Sequence, residues 1–109
     1  MNKPLVSVII PLYNTEKYIE KAVNSVINQT YKNWQLIVID DCSTDSSLDI
    51  ALDIRKRNNF SNEKMVIKQM NKNMGTYVAL NIGLKLAKGK FFCVLGSDDI
   101  YIPEKLQIQ

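Results

Sequence analysis

The chain of 109 residues contains no histidine and only two cysteines. Without an imidazole, and with Cys42 and Cys93 far apart, no stretch has the spacing of a histidine- or cysteine-ligated metal site. Both thiols sit beside or inside apolar, strand-like segments, which fits a reduced, intracellular setting better than a disulfide framework. No apolar run approaches the ~18 residues that a membrane span needs. Met1 to Pro4 lead straight into a strand-like segment and not into a signal peptide, so the expected location is the cytoplasm, or the cytosolic face of a membrane for a longer parent protein. Clustered positive charge is scarce as well. The net charge of +3 comes from lysines spaced among acids, and Arg55-Lys56-Arg57 is the only basic run, with few aromatics near it. A nucleic-acid surface therefore finds little support. What is present, 46% apolar and 23% charged residues, is the composition of an ordinary globular protein. At this length the chain forms one domain and buries roughly two thirds of its extended surface.

Taken in order, Leu5 to Ile10 is β-branched and apolar and reads as a first strand between Pro4 and Pro11. From Glu16 the apolar residues Ile19, Ala22, Val23, Val26 and Ile27 fall on one helical face, with Asn14 or Thr15 as the expected N-cap. Trp34 to Ile39 is a second buried strand. A helix is expected from about Asp45 to Lys56, with Leu48, Ala51, Leu52 and the stem of Arg55 on its core face, widened by Ile50 and Ile54. Met65 to Met70 is a shorter strand with an expected place at the edge. Thr76 to Lys88 is a third helix, with Gly89 as its C′ residue. Within it Gly75, Ala79, Gly83 and Ala87 recur every four residues and form a row without bulk, which suits close packing on a sheet or close approach to a ligand. Phe91 to Leu95 is a central strand, apolar without alternation and hence covered on both faces. Pro103 to Leu106 has the look of a first helical turn with proline at N1.

The order βαβαβαβ, with right-handed crossovers, gives a Rossmann-like parallel sheet between helices on both faces, a three-layer α/β/α architecture. Three loops then leave the same carboxyl edge, where open α/β sheets bind ligands. They are Pro11 to Asn14, Asp40 to Asp45, and Gly96 to Asp99, and they bring two acidic pairs, several hydroxyls, an amide and the Tyr13 ring to one crevice. A lone acidic pair ordinarily opens a surface turn and caps the next helix. Two adjacent acids also repel unless a cation sits beside them, and a divalent metal is their natural partner.

The segments Val6 to Asn14, Val38 to Asp45, Asn73 to Gly89 and Leu95 to Asp99 together resemble family 2 of the inverting glycosyltransferases, with the nucleotide-sugar-binding GT-A fold. The likeness covers nearly the whole chain. It implies strands in the spatial order 3-2-1-4, a UDP-sugar or similar donor, Mn²⁺ or Mg²⁺, and inverting transfer to an acceptor hydroxyl, usually in surface polysaccharide synthesis. By the same resemblance Pro11, Tyr13, Asn14 and Glu16 lie around the base and ribose, and Asp41 accepts a hydrogen bond from the base N–H. Gly75 lets the backbone approach the nucleotide. Ser97, Asp98 and Asp99 end the metal and ribose motif, with Asp98 and Asp99 at the cation. Asp40 is expected to bond its own nearby backbone.

Two positions depart from the family pattern: Gly96 stands where an acid is commonest, and Leu80 where arginine is frequent. No residue here matches the family's general base or acceptor site, so residues 1–109 are expected to be the donor-binding N-terminal part of a longer enzyme, inactive alone and open to self-association. The acceptor expected for that enzyme is a sugar or a lipid-linked group, with peripheral membrane association. Two readings from other classes remain. One is a non-catalytic nucleotide-binding or interaction domain. The other is a receiver-type signalling domain, disfavoured because the first strand ends in Pro-Leu-Tyr-Asn and not in an acidic pair.

Overall fold

A computed structural model describes residues 5–14, 16–28, 32–89 and 91–94. The elements are β1 (Val6–Leu12), α1 (Ile19–Ile27), β2 (Trp34–Asp40), α2 (Ser47–Arg57), β3 (Met65–Gln69), α3 (Thr76–Leu86) and β4 (Phe91–Val94). The strands form one parallel sheet in the order β3-β2-β1-β4, as the resemblance implies; β3 takes one edge as expected, and β4, expected to be central, pairs only with β1 and takes the other edge among the described residues.

Because side chains alternate across a strand, the unbroken apolar runs of β1 and β2 supply both faces of the sheet. Val6, Val8, Ile10 and Leu12 of β1 join Trp34, Leu36 and Val38 of β2 on one face. There they meet Ile19, Ala22, Val23 and Val26 of α1 and Ala51 and Ile54 of α2. Ile9, Ile37 and Ile39 point the other way, onto Ala79 of α3 and Met70. Every residue of β2 is buried. The pairing Ile9 with Ile37, within a register running from Val6–Trp34 to Leu12–Asp40, fixes which side chains share a face.

The small-residue row on α3 serves packing. A methyl group added at Gly83 would lie 2.6 Å from Ile9 Cγ2, so the absent side chain is what lets α3 rest on β1. Gly89 makes a second close approach. A Cβ there would meet the Leu5 carbonyl oxygen and both Ser7 N and Ser7 Oγ at 2.7 Å. Its N–H donates to Ser7 Oγ at 2.8 Å, and Ser7 Oγ donates in turn to Gln35 Oε1 at 2.9 Å. Gln35 Oε1 also accepts from Lys88 N at 3.0 Å, so two buried polar side chains pin the connection from α3 to β4 onto the sheet.

Four local expectations are corrected. Helix α1 begins at Ile19 and not at Glu16, and Tyr18 is its cap residue, with no side-chain cap bond. Asn14 is no cap because its amide oxygen bonds a different loop, and Thr15 lies outside the described residues. Helix α2 starts at Ser47, two residues later than expected, and Leu52 is 38% exposed, since the buried stripe passes through Ser47, Ala51 and Ile54. Helix α3 ends at Leu86, and Ala87 is already extended (φ −69°, ψ 128°), so Gly89 closes onto β1 and does not act as a C′ residue. The expected helix at Pro103, like the loop Gly96 to Asp99, lies outside the described residues.

Candidate functional site

The carboxyl edge of the sheet brings together the loops after β1, β2 and β3. Asp41 N donates to the Leu12 carbonyl at 2.8 Å, which continues the β1–β2 ladder one step past the strands. Tyr13 follows Leu12 in the chain and is 46% exposed. Pro11 is half-buried and pairs in register with Ile39.

The two carboxylates of Asp40-Asp41 diverge, as the alternation of a strand requires. Asp40 is fully buried and accepts from Ser43 N with both oxygens at 3.3 Å, the local backbone bond expected of it. Asp41 reaches the other way. Its two oxygens accept Met74 N at 2.7 Å and Gly75 N at 3.0 Å. One carboxylate thus satisfies two backbone donors just ahead of α3 and ties the β3–α3 loop to the end of β2. Each oxygen keeps a further lone pair. Gly75 itself has φ +94° and ψ 159°, a region that only glycine visits readily, with nothing within 4 Å of where a Cβ would point.

A second set of bonds joins the β1–α1 loop to the β2–α2 loop. Asn14, at φ +50°, donates its N–H to Ser43 Oγ at 3.0 Å. Its Oδ1 accepts from Thr44 N at 2.7 Å, Thr44 Oγ1 at 3.3 Å and Asp45 N at 3.3 Å. Asp45 answers across the same gap, its Oδ2 accepting Glu16 N at 3.1 Å while Oδ1 accepts Ser47 N at 2.9 Å. Burial works to raise the Asp45 pKa, but the bonds from Ser47 Oγ, Ser47 N and Glu16 N outweigh it and hold the carboxyl below its ordinary value. An open cavity of about 400 Å³ lies here, lined by Asn14, Glu16, Lys17, Tyr18 and Asp45.

Of the residues expected around the nucleotide, the structure joins Asn14 and Glu16 through Asp45, and Asp41 to Gly75. Ser97, Asp98 and Asp99 lie outside the described residues. Among the described residues no group of three acidic or cysteine side chains is placed to hold a metal ion. Sequence reasoning missed the partners of these candidates, Ser43, Thr44, Asp45 and Met74. A small polar run after a strand signals a turn but does not say which distant loop it will bond. Among the described residues no helix is long and apolar enough to cross a membrane.

A parallel sheet of this order, with its loops gathered at the carboxyl edge, has the GT-A nucleotide-sugar-binding fold. It superposes on S. aureus TarS 1-349 in complex with UDP-GlcNAc with a TM-score of 0.83 and 34% identity, covering 94% of this chain and 29% of that one. The fold is also that of the mannosyltransferase PcManGT from Pyrobaculum calidifontis, in complex with GDP-Man and Mn²⁺, at a TM-score of 0.82 and 24% identity over 96% of this chain and 31% of the other. The family model of glycosyl transferase family 2 matches residues 7–109, and the chain belongs to that family. Relatives include the putative teichuronic acid biosynthesis glycosyltransferase TuaG of Bacillus subtilis, 41% identical over 98% of this chain and 41% of the relative. Another is the UDP-Glc:alpha-D-GlcNAc-diphosphoundecaprenol beta-1,3-glucosyltransferase WfgD of Escherichia coli, 39% identical over all of this chain and 41% of that protein. The chain spans about two fifths of the length of these relatives. Family membership leaves the receiver-type reading without support.

Proposed function

We propose that residues 1–109 are the donor-binding N-terminal part of a glycosyltransferase that takes a UDP-sugar and transfers the sugar, with inversion, to an acceptor hydroxyl in cell-surface polysaccharide synthesis. The observation that carries this reading is the place of Asp41 at the carboxyl edge, tied to Met74 N and Gly75 N and bonded through its own N–H to Leu12, the residue before the exposed Tyr13. In this reading the buried Asp41 carboxylate, with acceptor capacity to spare, takes the one N–H of a uracil, and the exposed Tyr13 takes its flat face. Pro11 near the end of β1, Asn14 and Glu16 in the β1–α1 loop and Gly75 ahead of α3 would complete the surroundings of the nucleotide. Support for the donor comes from the UDP-GlcNAc complex of TarS and from the UDP-Glc in the name of WfgD. The name of WfgD also favours an acceptor linked to a lipid diphosphate, which would place the whole enzyme in the cytoplasm, at the membrane face.

In this reading Ser97, Asp98 and Asp99 complete the site, with Asp98 and Asp99 holding Mn²⁺ or Mg²⁺. Bound there, the metal would neutralise charge on the departing diphosphate. The residues of this chain hold the nucleoside and orient the donor. Attack by the acceptor hydroxyl on the anomeric carbon breaks the bond to the diphosphate, and the base that takes the hydroxyl proton is assigned to no residue here.

Calorimetric titration of UDP into the chain, with and without Mn²⁺, tests the proposal alongside an Asp98→Asn/Asp99→Asn double variant. Metal-enhanced binding that the variant loses is the expected result. A folded chain that binds no UDP under either condition would refute donor binding by these residues and favour a non-catalytic interaction domain.

A further inference from the structure

Tyr13 is braced from both sides by residues on the β2–α2 loop. On one side the Leu12 carbonyl takes Asp41 N, and on the other Asn14 N donates to Ser43 Oγ. The Asn14 side chain adds to the brace. Its amide oxygen accepts from both Thr44 and Asp45, residues thirty and thirty-one positions away in sequence. That oxygen is engaged with protein, so it is not free to serve as a simple acceptor for ribose. Asn14 also sits at φ +50°, a left-handed backbone that asparagine tolerates better than most residues. The same side chain therefore permits the turn after Tyr13 and locks it to the neighbouring loop.

We infer that Asn14 is a positioning residue, whose bonds to Thr44 and Asp45 hold the Tyr13 ring at the right distance from Asp41 to receive the nucleobase. This rests on the donor-binding reading above. The binding energy then comes from Tyr13 and Asp41, while Asn14 removes the conformational cost of bringing their two loops together on binding.

Two substitutions separate the backbone requirement from the bonds. Asn14→Gly keeps the positive φ and loses the acceptor. Asn14→Asp keeps both. Affinity for UDP is read by calorimetry and for uridine by ligand-observed NMR, at a temperature where melting curves show every variant folded. The expected result is that Asn14→Gly weakens UDP and uridine in parallel by roughly tenfold, and that Asn14→Asp stays within about threefold of the parent. Ser43→Ala, which removes the acceptor of Asn14 N–H and leaves Asn14 itself in place, is expected to weaken both ligands by about threefold and supplies the test if Asn14→Gly does not fold. The inference is overturned if Asn14→Gly or Ser43→Ala lowers the melting temperature but leaves uridine affinity unchanged, or if only UDP weakens, which would put the effect at the diphosphate. A parent chain that binds neither ligand overturns the donor reading itself, and the inference with it.

Discussion

Gly83→Ala puts helix propensity and packing in direct opposition. In a helix interior alanine is favoured over glycine by about 1 kcal/mol, so on local grounds the substitution stabilises. At position 83, however, the new methyl would lie 2.6 Å from Ile9 Cγ2, about an ångström inside contact distance. Ile9 is completely buried between β2 and β4, and its Cγ2 belongs to a β-branch with little rotamer freedom, so it cannot swing away. Overpacking of this kind costs about 1–3 kcal/mol. Subtracting the propensity gain leaves a net loss of about 1 kcal/mol, or a fall of about 4–8 °C in melting temperature for a domain of this size. Far-UV circular dichroism on heating, checked by urea unfolding, measures it. The control is Ile9→Leu, which moves the branch from Cβ to Cγ and so deletes the clashing atom. In that background Gly83→Ala is expected to be neutral or stabilising, giving a favourable coupling of about 1–2 kcal/mol in the double-mutant cycle. A rise in melting temperature for Gly83→Ala alone, or equal effects in both backgrounds, would refute the claim that the bare side of α3 exists to admit Ile9.

Gly75 tests backbone freedom without any clash. With open space around the missing Cβ but φ +94° and ψ 159°, Gly75→Ala is expected to cost about 1–3 kcal/mol in urea unfolding, and Gly75→Asn no less, because asparagine is at ease only in the left-handed helical region. A mild Gly75→Asn effect would refute that assignment. Asp45 yields a pH signature. Its carboxyl is held below its ordinary value, so its contribution to stability is present above the unfolded value near 3.8 and is lost as pH falls through the lower folded value. The stability gap between parent and Asp45→Asn is expected to be wide at pH 7 and to close toward pH 3, as followed by thermal melts at each pH. A gap that does not vary with pH would contradict it.

The strands could be read from the chain because an apolar run without alternation has one cheap solution, cover on both faces, and parallel crossovers then allow few orders. The loops could not be read in the same way, because the signals that mark them are degenerate. Asn14 ahead of an amphipathic stretch has the local pattern of an N-cap, yet its partners are Thr44 and Asp45, and only the register of β1 against β2 brings that loop within reach. Gly89 after a helix has the local pattern of a C′ residue, yet glycine answers two different needs, a positive φ or a vacant Cβ. Here the need is the second, set by the Leu5 and Ser7 backbone. The acidic pair Asp40-Asp41 shows where sequence and fold meet. Alternation alone dictates that two neighbouring carboxylates at a strand end cannot serve the same loop. One turns back to Ser43 and the other crosses to Met74 and Gly75, so the pair fastens the edge of the sheet in two directions. A carboxylate that is first a structural tie is already desolvated and fixed before any ligand arrives. That is the condition under which a further N–H donor, such as that of a uracil, is recognised with little additional ordering.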